Sequence, residues 1–207
     1  MSEYLKRYTE LPYLLYALRT GRLTLMNPAA WEDRNDARFL MTYKQQLNLG
    51  SVLALCFACA EETYHHWQVF SSGSSGVCIN FDFHRFSDWA NGAVEVKFEK
   101  VNYKMLDEIR EDAPVIEKLP FVKRYAFRDE REWRLIYETP EPQLVTKDID
   151  FNVATISSIV LSPWLPEAVA GEIKEVIRGI DGCSKINIFR TTLIDNAEWQ
   201  KHGNCGV

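Results

Sequence analysis

The chain has 207 residues, of which 46% are hydrophobic and 13% aromatic, and its formal net charge is -5 at pH 7. A chain of this length and composition can bury a full core, which excludes extensive disorder and predicts a single domain over residues 1–207. The acidic balance argues against a protein that attracts nucleic acid through a global positive field. It leaves room for one local basic cluster, formed by Lys123, Arg124, Arg128 and Arg131.

The sequence lacks the features of a membrane or secreted protein. No run approaches the roughly 20 consecutive apolar residues of a membrane span, and the first residues lack the apolar stretch of a signal peptide. The five cysteines lie mostly in apolar surroundings, which favours reduced thiols over a disulfide framework. We therefore expect a cytoplasmic protein without a structural disulfide or a membrane partner.

The hydrophobic periodicity predicts an α+β fold with a mixed, largely antiparallel sheet, continuous or split, flanked by helices. The predicted strands are residues 4–8, 22–26, 51–60, 77–82, 94–98, 127–137, 144–151, 156–161 and 185–189, and we expect 144–151 to pair with 127–137. The predicted helices follow Thr9 and Asp36 and cover 61–70, part of 103–122 and a stretch after Pro163 or Pro166. Gly21 should end the first helix, and residues 156–190 form a strand, helix and strand.

The segment from Phe127 to Tyr137 is the most informative in the chain. As a strand it places Glu130, Glu132 and Arg134 on one face and an apolar set with Trp133 on the other, because side chains alternate. Two carboxylates and a guanidinium are costly to bury unless a ligand or internal partners use them. This face is a candidate site, and a structural ion-pair network is the alternative.

Other candidate groups have competing explanations. Cys56 and Cys59 with His65 and His66 could bind zinc, but cysteines within a buried strand more commonly pack as apolar side chains. The Ser71–Gly76 loop lacks the Lys-Ser/Thr of a triphosphate-binding loop, so it is a linker or a source of hydroxyl donors.

Arg7 in the apolar first strand must reach solvent, a carboxylate or an anionic ligand. An internal carboxylate, Glu132 or Asp36, is the structural alternative to an anionic ligand. Asp36 with Glu130 and Glu132 could also form a metal-dependent nuclease site. The residues following the Glu-x-Glu pair are Trp133 and Arg134 and supply no lysine, and Asp33 and Asp36 are expected to cap a loop.

Several blocks in order resemble one bacterial family. Arg7-Tyr8, the stretch from Asn27 to Asp36, Trp67-x-x-Phe70 with Gly76–Ile79, and Glu130-x-Glu132-x-Arg134 are similar to domain-of-unknown-function family 2971, over about residues 4–161. Arg34-Asn35 departs from the family, which usually has a proline and an aromatic residue there. The family name carries no activity.

A second, weaker resemblance is to ADP-ribosyltransferases, which place an Arg or His, a serine segment and a late Glu in the same order. It implies that Arg7 binds the NAD diphosphate, that the serine loop holds the nicotinamide ribose, and that Glu132 stabilises the transition state. Glu130 would position the acceptor, and Arg134 would keep Glu132 ionised. The implied NAD-binding residues are Arg7, Tyr8, Trp67, Ser71, Ser72 and Arg134.

The function implied by this resemblance is that of an NAD-consuming transferase of the toxin or antiphage-effector kind. NAD would be a substrate, no metal would be required, the acceptor would be protein or nucleic acid, and an antitoxin would be a partner. A non-catalytic recognition module built on the Glu/Arg network is the first alternative. A metal-dependent nuclease is the second.

Overall fold

The computed structural model describes residues 4–71 and 73–203. Within them the strands are β1 (Tyr4–Glu10), β2 (Arg22–Met26), β3 (Ser51–Ala58), β4 (Gly76–Asp82), β5 (Val96–Lys100), β6 (Asn102–Lys104), β7 (Val122–Arg124), β8 (Glu132–Thr139), β9 (Thr146–Asp150), β10 (Ile156–Leu161) and β11 (Asn187–Arg190). The α-helices are α1 (Leu11–Thr20), α2 (Arg34–Gln46), α3 (Tyr64–Phe70), α4 (Phe83–Gly92), α5 (Leu106–Glu111), α6 (Glu167–Arg178) and α7 (Ala197–Gly203). Short 3-10 helices cover Pro28–Ala30, Gly73–Ser75, Ile116–Phe121, Tyr125–Glu130 and Val153–Thr155.

The main sheet has nine strands and is mostly antiparallel, which confirms the predicted α+β class. One path through it runs β11-β10-β4-β1-β3-β2-β9, and β8 pairs with both β3 and β5. The β10–β11 pair, joined through α6, is parallel. A separate parallel pair, β6 and β7, lies outside this sheet.

Strand β3 is the point at which the sheet splits. One edge of β3 pairs with β8 along its whole length, from Ser51 to Ala58. The other edge meets β1 only at Ala58, opposite Lys6, and meets β2 only at Ala54, opposite Met26. Because β1 and β2 diverge, the backbone between these two pairs borders an opening in the sheet.

The core forms where the predicted alternation of β8 places it. Leu135 is fully buried in the main hydrophobic cluster, and Trp133 and Tyr137 pack against that cluster. On the opposite face Ile136 joins a second cluster with Leu40 of α2. The apolar face of the charged segment is therefore confirmed, and its other face lies beneath α2.

Helix α1 ends as its sequence predicts but begins differently. Gly21 lies in the left-handed region with φ 65°, and its N–H donates to the carbonyl of Ala17, a conformation that glycine adopts without strain. The predicted N-cap at Thr9 was wrong, because β1 continues to Glu10 and Glu10 occupies that position without a side-chain capping bond.

Two further expectations were wrong, and one was confirmed. Glu130 ends a 3-10 helix rather than lying on β8, because Arg131 adopts a left-handed conformation with φ 47° and separates the two. The helix predicted within residues 103–122 forms as the brief α5, and the rest of that stretch contains two short strands and a 3-10 helix with Pro120, since proline interrupts α-helical hydrogen bonding. The strand predicted at 144–151 forms as β9 but pairs with β2 rather than β8.

Two features bear on compartment and redox state. Among residues 4–71 and 73–203, no helix has the length and apolarity needed to cross a membrane. Within the same ranges Cys56, Cys59, Cys78 and Cys183 are free thiols.

Candidate active site

A cavity of about 310 Å³ lies at the opening between β1 and β3. Strand β1, strand β3, the start of β8, the first turn of α2, the end of α3 and the 3-10 helix before β8 all contribute to it. Its lining residues are Lys6, Arg7, Tyr8, Trp31, Glu32, Asp33, Asp36, Cys56, Phe57, Ala58, Val69, Phe70, Lys123, Phe127, Glu130 and Glu132. The volume lies at the lower end of the range for small-molecule sites.

The charged floor of the cavity is organised by Arg134, whose side chain is completely buried. Its Nε and Nη2 donate to the two carboxylate oxygens of Glu132 at 2.6 and 2.9 Å. Its Nη1 and Nη2 donate to the carboxylate oxygens of Asp36 at 2.7 and 2.5 Å. The carbonyl of Pro120 accepts a further bond from Nη1 at 2.9 Å, so all five guanidinium donors are used.

Lys123 of β7 extends this network. Its Nζ lies 2.7 Å from a Glu130 oxygen, 3.1 Å from a Glu132 oxygen and 3.8 Å from an Asp36 oxygen. Asp36 comes from the first turn of α2, where Asp33 caps the helix by accepting from the N–H groups of residues 35 and 36. The predicted capping role was therefore correct for Asp33, whereas Asp36 turns inward to the cations.

The charges of this network fix the ionisation of Glu132. Burial alone raises the pKa of Glu132, but the charge and hydrogen bonds of Arg134, with help from Lys123, lower it to about 2. The pKa of Glu130 is raised, because burial outweighs the single ammonium that it contacts. Burial also raises the pKa of Asp36 despite Arg134. Glu132 is thus an ionised carboxylate at neutral pH.

Like Lys6, which donates to the carbonyl of Ala60 at 2.7 Å, Arg7 lines the cavity and lacks an ion pair within the described ranges. Its Nη1 donates to the carbonyl of Cys56 at 3.2 Å, within the stretch of β3 where the sheet is open. Neither Glu132 nor Asp36 forms the predicted internal salt bridge with it, because Arg134 holds both. Burial lowers the pKa of Arg7, and nearby Cys56 and Glu132 only partly counter that effect. An anion entering the cavity would supply the missing partner.

Aromatic side chains form the walls of the cavity. Tyr8 packs edge-on against the buried Trp67 with ring centroids 5.2 Å apart, and Phe70 lies 6.3 Å from Tyr8. Trp31 covers the Arg134 guanidinium at 5.2 Å, and Phe127 covers the Lys123 ammonium at 4.8 Å. These cation–π contacts anchor both rings at the cavity.

The structure brings four of the eight residues implied by the transferase resemblance to the cavity wall, Arg7, Tyr8, Glu130 and Glu132, together with Asp36 and Cys56 from the other candidate groups. Trp67 and Arg134 lie behind that wall, in contact with Tyr8 and Glu132. Ser71 donates to the carbonyl of Trp67 at 2.7 Å and is not among the lining residues. Ser72 lies outside the described residues.

The carboxylates considered for a nuclease converge on cations. Asp36, Glu130 and Glu132 surround Lys123 and Arg134, and within 4–71 and 73–203 no group of three or more His, Cys, Asp or Glu residues is placed to hold a metal ion. The Glu-x-Glu segment contains no lysine of the kind expected in a nuclease site, but Lys123 of β7 lies beside both glutamates. The Cys56, Cys59, His65 and His66 set likewise forms no metal-binding group.

Sequence reasoning did not find Lys123, Trp31 or Phe127 as site residues. Lys123 stood out only as part of a basic cluster, and Trp31 as an aromatic residue beside acids. Local pattern gives no sign that β7, the turn before α2 and the 3-10 helix meet above β8. Proximity of these three elements arises from tertiary packing alone.

Comparisons with known proteins find no family model and no curated protein that matches the chain. Solved structures of Thermus sp. 2.9 DarT are similar to it. The complex with ADP-ribosylated ssDNA has a TM-score of 0.49 and 10% identity, over 92% of this chain and 94% of that chain. The complexes with NAD+ and carba-NAD+ have TM-scores of 0.48 and 0.47 and identities of 11% and 12%, each over 92% of this chain and 96% of that chain. TM-scores below 0.5 carry no inference about chemistry, and membership of family 2971 stays a prediction.

Proposed function

We propose that this protein consumes NAD in the cavity between β1 and β3, as an ADP-ribosyltransferase or an NAD glycohydrolase. One observation carries the proposal: a guanidinium without an ion pair in the described residues, Arg7, and an ionised carboxylate, Glu132, line the same aromatic-walled cavity. NAD presents a diphosphate, two riboses and two planar ring systems, for which the guanidinium, the carboxylate and the aromatic walls respectively are suitable partners.

The diphosphate would bind at Arg7. Among the described residues its guanidinium uses one donor, on the Cys56 carbonyl, so further N–H groups of Arg7 can donate to phosphate oxygens. Charge-assisted and bidentate bonds of this kind are the strong ones. The aromatic walls at Tyr8, Phe70 and Trp31 would receive the planar rings.

Glu132 would act on the nicotinamide ribose. When the bond from ribose C1 to the nicotinamide nitrogen breaks, the electron pair leaves with nicotinamide and positive charge develops on the sugar, as in glycoside hydrolysis. A fixed carboxylate stabilises that charge. The Oε1 atom of Glu132 accepts one hydrogen bond, from Arg134 Nε, in the described structure, so it can also accept a hydrogen bond from a ribose hydroxyl.

Glu130 would receive the proton of the nucleophile that then attacks the sugar. It is less enclosed than Glu132, and Lys123 contacts only one of its oxygens. Water as nucleophile gives free ADP-ribose, whereas a protein or nucleic-acid group gives a modified acceptor. A transfer assay decides which acceptor is used. A role as a toxin or antiphage effector that is held in check by an antitoxin is part of the same proposal.

The test is nicotinamide release from NAD by the purified full chain, with Glu132→Gln compared with Glu138→Gln. Glu138 is a matched control because it lies on the same strand and also pairs with a lysine, Lys97, but it does not line the cavity. We expect E132Q to lower the rate by about 100-fold or more. E138Q should retain the wild-type rate.

Equal release by wild type and E132Q, or no release by folded wild type with any protein, RNA or DNA acceptor, contradicts the proposal. Circular dichroism of both variants separates lost activity from lost structure. Labelling NAD in its adenine ring shows whether ADP-ribose is transferred or released.

The hydrogen bonding of Arg134 favours a second candidate function, that of a non-catalytic recognition module. All five of its donors are satisfied within the protein, as in a purely structural network. In that case E132Q lowers stability, and wild type neither binds NAD in calorimetry nor releases nicotinamide. Binding of NAD that is lost in Arg7→Met would exclude it.

A further inference from the structure

Lys123 joins the two carboxylates of the cavity through one atom. Its Nζ lies 2.7 Å from Glu130 and 3.1 Å from Glu132, so these oxygens are at most about 6 Å apart. Its side chain is only 9% exposed, and its ammonium also lies 4.8 Å from the Phe127 ring centroid. Lys123 is itself a lining residue of the cavity.

Two carboxylates this close would repel each other when both are ionised. Without a cation between them, one carboxyl retains its proton at a higher pH than an isolated group does. Arg134 neutralises Glu132 and Asp36 but makes no hydrogen bond or ion pair with Glu130 in the described structure. Lys123 is therefore the cation that serves Glu130.

We propose that Lys123 is a positioning residue of this cavity, whose ammonium group holds Glu130 and Glu132 together as a pair of ionised carboxylates. This inference rests on the proposed function, because it assigns Lys123 the task of keeping Glu130 able to take a proton. The role differs from that of Arg134, which lies behind the cavity wall and, of the two glutamates, contacts Glu132 but not Glu130 in the described structure.

The electrostatic surroundings of Lys123 support this role. Burial by itself lowers the pKa of Lys123, but Glu132 and Glu130 together raise it above its ordinary value, so the ammonium stays charged. The charged and titratable groups that interact with Lys123 or with its two glutamates are Arg7 on β1, Asp36 on α2, Cys56 on β3, Tyr103 on β6, and Arg134 on β8. Burial is the main cause that raises the pKa values of Tyr103 and Cys56, so both stay neutral at pH 7 and add no charge beside Lys123.

The test is the pH profile of nicotinamide release by wild type, Lys123→Met, Lys123→Arg and Lys97→Met. Lys97 is the matched control because it joins Glu138 to the Tyr43 hydroxyl outside the cavity, at 2.7 and 2.8 Å. We expect K123M to move the acid-side midpoint up by at least about one pH unit. K123R, which keeps the charge, and K97M should retain the wild-type midpoint.

An unchanged acid-side midpoint in an active K123M overturns the inference, as does a shift of equal size in K97M. A merely structural role for Lys123 lowers the melting temperature and leaves the midpoint in place. If wild type releases no nicotinamide, the proposed function fails first, so the two failures are distinguishable. Should K123M not fold, carbon-13 NMR titration of the Glu130 carboxyl in wild type decides: a midpoint above about pH 7 overturns the inference.

Discussion

Arg134 and Glu132 lie two residues apart on one strand and still form a two-point hydrogen-bonded pair, with Nε to Oε1 at 2.6 Å and Nη2 to Oε2 at 2.9 Å. The strand period places both side chains on one face, and the guanidinium folds back along that face toward the cavity. Its remaining donors reach Asp36 and Pro120. The pair therefore anchors α2 and the 3-10 helix Ile116–Phe121 to β8, and it fixes the position of Glu132 at the cavity.

Arg134→Met should destabilise the protein strongly. It leaves two buried carboxylates, Glu132 and Asp36, without their main partner, and breaking a buried pair from one side costs about 3–5 kcal/mol. Urea denaturation at pH 7 measures the loss. Arg22→Met is the control, since its pair with Asp150 is largely exposed, and it should leave the midpoint unchanged. Equal effects of the two substitutions would contradict a buried structural network.

The stability cost of Glu132→Gln should depend on pH. A carboxyl whose pKa is lowered in the folded state, here to about 2 from 4.5, stabilises the fold above its unfolded pKa and loses that contribution as pH falls. Protonated Glu132 resembles glutamine, so the variant and wild type should converge in stability between about pH 4.5 and 2. Denaturation curves at pH 7, 4 and 3 test this, and a gap that stays constant across them would show that Glu132 is not held ionised.

Arg7→Met should weaken NAD binding with little effect on folding. Arg7 has one hydrogen bond, to a backbone carbonyl, and no ion pair within the described ranges, whereas charge-assisted bonds to phosphate are worth about 1.5–3 kcal/mol, or roughly 10–100-fold in Kd. Calorimetry with NAD measures the change. Arg85→Met is a matched control, because Arg85 also donates to one backbone carbonyl, that of Ala154, but lies away from the cavity. Equal NAD affinity in R7M and wild type would remove Arg7 from the site.

Two glycine substitutions should have opposite effects on stability. A Cβ on Gly50 would lie 2.1 Å from the carbonyl oxygen of Pro140, so Gly50→Ala forces the backbone apart and should cost at least about 1–3 kcal/mol. Gly171 lies within α6 with nothing near its added Cβ, so Gly171→Ala should stabilise the protein by about 0.5–1 kcal/mol. Thermal melts of both variants provide the comparison, and a neutral G50A would show that the turn before β3 yields easily.

The order and type of many elements were predictable from local pattern. Alternation on β8 identified the core face with Leu135, and Gly21 marked the end of α1, because side-chain period and glycine conformation are local properties. The predictions that were wrong concern which strands pair with each other and where a strand is interrupted. Strand β9 pairs with β2, and Arg131 separates Glu130 from β8, neither of which a short sequence window records.

In the candidate site, too, the sequence identified residues but not their partners. Arg7, Glu130 and Glu132 were recognisable because charge within an apolar strand is costly and requires a partner. Which partner each one has was open in the sequence, where Arg7 was equally compatible with a salt bridge to Glu132. In the structure Arg134 takes Glu132 and Asp36, and Arg7 reaches the cavity without an ion pair among the described residues.

The sequence by itself determined the α+β class, the apolar face of β8 and the presence of buried charge beside it, since these follow from composition and side-chain periodicity. Only the tertiary structure decided that β1 and β2 diverge along β3, that the resulting opening is a cavity, and that Lys123 enters it from β7, a strand outside the main sheet. Long-range packing sets these distances. The sequence therefore identifies the charged residues of the Glu-x-Glu-x-Arg segment, and the tertiary structure shows which residue each of them pairs with.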